Sequence, residues 1–322
     1  MISRLLAAAA CVTGAFLSLN AAADTWPSKP IKFLVPFAAG GVADVVTRAI
    51  TPKLSEALGQ PIVIENRGGA GGTIGTSLGA KAAPDGYTFV VPAASHTTTP
   101  SLYSKLDFDP VKDFTAVTQI AAVPYLLVVP AASPIKSLNE FIAAAKARPG
   151  TLSYGSAGNG SSNHLAGELL ASHIGAPLLH VPYKGSAPAL IDVLGGQLAF
   201  MFDTINTSQQ HIKGGKLRAL GVGTTKRSTL MPDVAPIADT VPGFEAATWV
   251  GLLAPAGTPK EIVNRMQQEV AKVLRSPEVQ EKLSTTGAEP VGSTPEEFGA
   301  YVASEVAKWD RVVKQAKIAP VQ

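Results

Sequence analysis

The chain has 322 residues, 46% of them hydrophobic and 16% charged, with a formal net charge of +3. That length can bury the cores of two domains, and no cluster of Lys or Arg stands out, so nucleic acid is not expected as a partner. Cys11 is the single cysteine, which excludes a disulfide framework and, once the leader is removed, any thiol nucleophile or thiolate metal site.

In chain order, residues 1–23 have the layout of a secretory signal peptide. Arg4 is the basic start, residues 5–19 are almost wholly apolar, and Ala21-Ala22-Ala23 offers the small residues of a cleavage site. Cleavage is expected after Ala23, placing the mature chain in the periplasm. The apolar run is shorter than the roughly 20 residues of a membrane span. Nothing later in the chain is long enough to cross a membrane.

Residues 31–35 read as a strand, 36–41 as a loop, and 44–58 as a helix. The apolar residues Val45, Ala49, Ile50, Leu54, Ala57 and Leu58 follow one-face spacing, and Gly59 is the stop. A strand at 61–65, a sharply bent glycine loop at 68–72, a helix at 74–83 and a strand at 87–91 come next. Repeated units of this kind predict a parallel sheet with helices on both faces. Two long extended stretches, 115–129 (interrupted by Pro124) and 247–254, read as crossings between domains. Between them lie helices at 138–147, 164–173 and 187–194 and strands at 152–155, 178–181 and 198–202. After the second crossing come helices at 260–274, 277–285 and 295–316. The expected organisation is α/β throughout. A first domain, 24–123 plus 248–322, receives an inserted second domain, 124–247, with the functional cleft between them.

Two loops invite a ligand. The first holds Phe37, Ala38, Ala39, Gly40 and Gly41. Its glycines let the backbone approach a ligand, and it opens onto a helix start whose N–H groups and dipole suit a carboxylate or phosphate. Asp44 reads as a cap or tether of that loop. The second, with Ser156, Gly160, Ser161 and Ser162, also leads from a strand into a helix and adds hydroxyl donors. One anion-receptive loop per domain is what a clamp needs, although each loop alone also reads as a tight turn. Ser95 and His96 stand after the strand 87–91 and either line the cleft or cap a helix. Tyr183 and Asp203 follow strands of the second domain. Asp203 could hold a ligand ammonium group, but a structural cap is the simpler reading.

No serine satisfies G-x-S-x-G, no glycine loop ends in Lys-Ser or Lys-Thr, and Gly158-x-Gly160 meets Asn163 where a third dinucleotide-binding glycine belongs. His96, His164, His173, His180 and His211 lack metal-ligand spacing. These observations argue against an enzyme, a bound metal and a cofactor.

Several longer motifs then resemble a family. They are Trp26-Pro27-x-Lys29-Pro30 leading to Val35-Pro36-Phe37-Ala38-x-Gly40-Gly41-x-x-Asp44, and Glu65-Asn66-Arg67-x-Gly69-Ala70. Later come Pro84-Asp85-Gly86-Tyr87, Tyr154-Gly-Ser-x-Gly158-x-Gly160-Ser161-x-x-His164-Leu165, His180-Val-Pro-Tyr-Lys-Gly185 and Trp249-x-Gly251-Leu252-x-Ala254-Pro255. The mature chain resembles the Bug family, substrate-binding proteins of tripartite tricarboxylate transporters. The resemblance implies a type II periplasmic-binding-protein fold, with two α/β domains joined by two crossing strands and closing on a ligand. It implies a small organic carboxylate as ligand (a di- or tricarboxylate, amino acid or aromatic acid) and delivery to a membrane permease by a monomer. It implies that residues 37–41 meet a carboxylate through backbone groups and ordered waters, while 156–162 close from the other side. A ligand-sensing subunit for a membrane sensor kinase and an exported α/β hydrolase are the competing readings.

Overall fold

The computed structural model describes residues 26–183, 185–318 and 320; the signal peptide expected at 1–23 lies outside them. The first elements are β1 (Ile31–Val35), α1 (Val42–Leu58), β2 (Ile62–Asn66), α2 (Thr73–Ala80), β3 (Thr88–Val90), α3 (Ser95–Leu102) and β4 (Phe114–Pro130). Then come α4 (Leu138–Ala147), β5 (Ser153–Ser156), α5 (Ser162–Ile174), β6 (Leu179–Pro182), α6 (Ser186–Leu194), β7 (Phe200–Thr204), α7 (Ile205–Lys213) and β8 (Leu217–Val222). The chain closes with β9 (Ala247–Pro255), α8 (Lys260–Leu274), α9 (Pro277–Thr285), β10 (Glu289–Pro290) and α10 (Pro295–Gln315).

The strands line up as β2-β1-β3-β9-β4-β7-β5-β6, with β8 and β10 also paired to β4. Pairing is parallel where βαβ units were expected: β1 with β2 and β3, and β5 with β6 and β7. It is antiparallel in the middle, where β9 pairs with β3 and β4, and β4 with β7 and β8. The parallel pairing expected from the βαβ units holds within each half, and the crossing strands add antiparallel pairs between them. One strand must carry the chain out of the first half and another must carry it back, so the two crossings run in opposite directions.

The crossings are β4 and β9, in register from Phe114↔Pro255 to Pro124↔Ala247. From Tyr125 onward β4 exchanges β9 for β7 and β8. Pro124, which has no N–H to give a ladder, sits at that exchange rather than breaking the strand. Beside it the Gly223 N–H donates to Tyr125 O and its carbonyl accepts from Ala246. A β-carbon on Gly223 would lie 2.0 Å from Ala246 O, so only glycine lets the three segments meet.

Alternate residues of β4 feed opposite faces, as strand geometry requires. Leu127 and Val129 join a core with Phe141, Tyr154, Leu165 and Phe200, whereas Leu126 and Val128 join Ala189, Val193 and Met201. In the first half Phe33, Val46, Ile50, Leu54, Leu252 and Met266 form the corresponding core. Helix α1 buries Ala49, Ile50, Leu54 and Leu58 of the expected face together with Val46, while Val45 is half-buried and Ala57 exposed, and it ends on Gly59 at φ 70°. The terminal helix α10 serves both halves. Phe298 and Val302 pack with Trp249 and Phe114, while Trp309, Val312 and Val313 enter the core of Phe141 and Tyr154. At about 1.5 Å per residue, its 21 residues span about 30 Å, enough to bridge two domains.

Helix α3 entered the sequence reading only as a helix that Ser95 and His96 could cap, and helix α7 and strands β8 and β10 had no counterpart in it. The sequence of α3, Ser-His-Thr-Thr-Thr-Pro-Ser-Leu, has low helix propensity. It is held by bonds of the Thr97 and Thr98 hydroxyls to Ala94 O and Ser95 O. Packing against α10 completes it.

Candidate functional site

Parallel strands deliver their following loops to one edge of a sheet, so the loops after β1, β2, β5, β6 and β7 gather at strand C-terminal ends. They also touch in series. A β-carbon on Gly72 would meet the Phe37 ring at 3.2 Å, and one on Gly71 would meet the Tyr103 hydroxyl at 3.1 Å. One on Gly160 would meet the Leu102 side chain at 2.8 Å, and one on Gly158 would meet Tyr183 O at 3.2 Å. The expected loops of both halves therefore form one continuous rim, with the C-terminal end of α3 as the link.

In the first loop Phe37 is half-buried and Ala38, Ala39 and Gly40 are exposed. Gly40 has φ 84°, and a β-carbon there would meet nothing within 4 Å, so the backbone faces open space. Gly41 is the N-cap of α1, and no side chain caps that helix start. The loop is held from behind by Asp44, only 2% exposed. Its carboxylate accepts from Gly40 N (2.8 Å), from Arg48 Nε (2.9 Å) and from Asn66 Nδ2 (3.0 Å), and Asn66 also donates to Phe37 O. Burial alone would raise the Asp44 carboxyl, but the hydrogen bonds from Arg48, Gly40 and Asn66 outweigh it and hold the group below its ordinary value. Asp44 is the tether that the sequence suggested.

The second loop is held differently. Ser156 is fully buried, and its hydroxyl lies 2.6 Å from His180 Nε2 while accepting from Gly158 N. Gly160 N donates to His164 Nδ1 (3.0 Å), and Ala157 N and the Ser161 hydroxyl both donate to Asn163 Oδ1. The imidazoles of His164 and His180 stack at 3.7 Å. Burial, followed by the neighbouring His180, pushes His164 down to about 3, and burial pushes His180 down to about 4, so both are uncharged at neutral pH. Beneath them Tyr154 donates to Glu168 Oε1 (2.6 Å), and burial pushes the Glu168 carboxyl up. Ser161 caps α5 with its backbone only, so the first N–H groups of α5, like those of α1, carry no side-chain cap.

The remaining expected residues divide. Ser162 stands at the first turn of α5, near the Tyr125 hydroxyl, which burial pushes up. Tyr125 lies at the exchange point of β4. Asp203 is 3% exposed and accepts from the Thr207 and Ser208 hydroxyls at the start of α7; burial raises its carboxyl. These bonds tie one Asp203 oxygen to the first turn of α7, whose backbone carries no side-chain cap. Tyr183 donates its hydroxyl to Asp192 near the far end of α6, so its polar tip serves the second half internally. Ser95 opens α3, half-buried. His96 does not join the rim. Helix α3 turns it inward between Phe108 and Phe114, its Nε2 lies 2.9 Å from Pro110 O, and burial pushes it down to about 4. Thr99, on the same helix, was not singled out by sequence. Its hydroxyl is buried with no hydrogen-bond partner among the described residues, and its methyl faces Gly71. Only the helical turn from Ser95 to Thr99 could have signalled it.

An apolar groove of about 570 Å³, lined by Pro130, Ile135, Leu152 and Leu198 among others, lies at the opposite, N-terminal ends of β5 and β7. Among the described residues no helix is long and apolar enough to cross a membrane, and no group of three or more His, Cys, Asp or Glu is placed to hold a metal.

Comparison with known proteins gives concordant results. The family described as tripartite tricarboxylate transporter family receptor matches residues 46–318. Protein BugT of Bordetella pertussis is 36% identical over 307 residues, covering 94% of each chain. R. palustris Rpa4515, solved with adipate, is 40% identical with a TM-score of 0.74, covering 92% of this chain and 100% of that one. MatC (Rpa3494) from Rhodopseudomonas palustris, solved with bound malate, is 35% identical with a TM-score of 0.70, covering 89% and 100%.

Proposed function

The chain belongs to the tripartite tricarboxylate transporter family of receptors, and from that premise we propose that it captures a small dicarboxylate between residues 37–41 and 156–162. The family is one of solute-binding receptors, so the chain binds its ligand without transforming it. The observation that carries the ligand class is the pairing of two helix starts, α1 and α5, one from each half and neither capped by a side chain. Neither loop contains Lys or Arg. Negative charge there is met by backbone N–H groups and helix dipoles, which hold a carboxylate at each end of a short acid. Adipate and malate, the ligands of the two solved relatives, are both dicarboxylates.

In this reading the halves are 24–123 plus 248–322 and 124–247, and they close about the exchange point at Pro124 and Ala247. Residues 1–23 direct export and are removed, and the mature protein works in the periplasm as a monomer that delivers its ligand to a membrane permease. The test is titration of residues 24–322, unfolded and refolded to strip carried ligand, with malate, adipate, citrate, glutamate and benzoate. Binding of a dicarboxylate supports the reading, with a stability gain of about 2.7 kcal/mol at a hundredfold excess over Kd. Binding of benzoate alone would overturn the two-ended carboxylate clamp.

A further inference from the structure

The two imidazoles under the second loop are used by nothing in the ligand reading, yet together with Asn163 they hold that loop in place. Gly160 N–H points at His164 Nδ1, so that nitrogen must be an acceptor and its ring proton must sit on Nε2. Nε2 faces Glu168 Oε1 at 3.8 Å, too far for a hydrogen bond. A second proton on His164 has only Nδ1 to occupy, where it would meet the Gly160 N–H head-on. His180 is disfavoured as a cation differently. Its Nε2 lies 2.6 Å from the Ser156 hydroxyl, which receives the Gly158 N–H and has Gly158 O at 3.2 Å for its own proton. It is burial of the ring against His164 that opposes a charge there. At 3.7 Å, stacked in near-parallel planes, the rings also repel each other if both are charged.

We propose that the His164–His180 stack is the positioning element of the ligand loop 156–162, holding it in its receiving shape only while both rings are uncharged. Neither ring touches the ligand. They act through Gly160 and Ser156, by fixing which N–H groups stay turned inward and leaving the first N–H groups of α5 for the ligand. The titratable groups around the pair are Tyr154 of β5 and Glu168 of α5. Tyr154 donates to Glu168, whose carboxyl is pushed up by burial; that carboxyl stands 3.8 Å from His164 Nε2 without a hydrogen bond to it, and it does nothing for the blocked Nδ1. From the first half the cover over Gly160 is the side chain of Leu102, which is apolar. The loop must therefore open before the rings take up protons. Each ring that charges on opening makes opening about tenfold easier per pH unit below about 6.5.

This inference rests on the reading of 156–162 as a ligand loop, but its test needs no ligand. Amide hydrogen exchange of the mature protein, corrected for the intrinsic rate, is followed in peptides covering 157–164 and 38–44 from pH 7.5 to 5.0. In the wild type, protection of 157–164 falls by tenfold or more over this range while 38–44 stays level. His164→Asn, whose Oδ1 can accept the Gly160 N–H without titrating, keeps the protection and lowers its pH slope; His164→Asn with His180→Gln abolishes the slope. His164→Phe keeps a ring in the stack but no acceptor, and 157–164 is unprotected at every pH while 38–44 and the core remain protected. A wild-type loop with no pH slope, or a double variant with the wild-type slope, overturns the proposal. Titration at pH 7.5 with malate and adipate separates the two claims. Should neither bind, the dicarboxylate reading fails while the exchange data still decide the role of the histidines. Should one bind, His164→Phe weakens it fivefold or more.

Discussion

The loops after β1 and β5 look alike in sequence, both glycine-rich and both opening a helix, yet they are secured by opposite electrostatics. The first is pinned by an ionised carboxylate, Asp44, that gathers Gly40, Arg48 and Asn66. The second is pinned by two uncharged imidazoles, one accepting the Gly160 N–H and the other hydrogen-bonded to the Ser156 hydroxyl. Loops alike in sequence can thus rest on supports with different vulnerabilities. A buried carboxylate with three donors fails when a donor or the charge is removed. A buried imidazole pair fails when charge is added.

The sharpest way to break the first side of this contrast is Asp44→Ala. It leaves the Gly40 N–H, the Asn66 amide and the Arg48 guanidinium without their shared acceptor, and losing bonds to a buried charged group should cost about 3 kcal/mol. Urea denaturation at pH 7.5 measures this, and Asp44→Asn, which keeps an acceptor for Gly40, should lose about half as much. An unchanged midpoint for Asp44→Ala would mean that the loop is held by β2 and α1 alone.

Acid should separate the two supports next. A depressed carboxyl contributes stability above its ordinary value of 3.8 and loses it as pH falls through its lower folded value, so the first tether is indifferent between pH 7 and 5. A depressed imidazole contributes fully above about 6.5 and loses its contribution as pH falls towards about 4 for His180 and about 3 for His164. Each ring then removes up to about 1.4 kcal/mol per pH unit within that window. His96, pushed down to about 4 in its aromatic pocket, adds a similar slope. Stability curves at pH 7.0, 6.0 and 5.0 should therefore fall for the wild type and fall less steeply for His164→Asn with His180→Gln, with His96 supplying the remainder.

The smallest expected effect probes the link between the loops. Thr99→Val exchanges a buried, unpartnered hydroxyl for a methyl of similar volume beside Gly71. Its stability should change by less than about 1 kcal/mol, in the stabilising direction, since no hydrogen bond is lost. If the hydroxyl turns to the ligand on closure, malate or adipate binding weakens about fivefold in the same variant. Unchanged affinity would confine the site to the two glycine loops.

Much of this was legible in the chain. Helices α4, α8 and α9 begin and end where periodicity and their flanking Ser137, Pro259 and Ser276 place them. The two crossings were visible as unusually long extended runs, because a strand buried on both faces reads as continuous Val, Leu and Ala rather than as an alternation. Helix α3 was not legible, since threonine and an internal proline argue against a helix and only packing on α10 overrides them. Nor was the placement of His96, because a helix of eight residues with no clear apolar stripe does not show which face turns inward.

By itself the sequence determined the α/β order, the two glycine loops at strand ends, the family, and the absence of cationic side chains from both loops, because each is a matter of local pattern or residue type. The tertiary structure decided which loop atoms are already held by hydrogen bonds and which are not. Asp44 and Asn66 come from α1 and β2, and His164 and His180 from α5 and β6, so the hydrogen bonds that hold each loop exist only once separate elements have packed side by side.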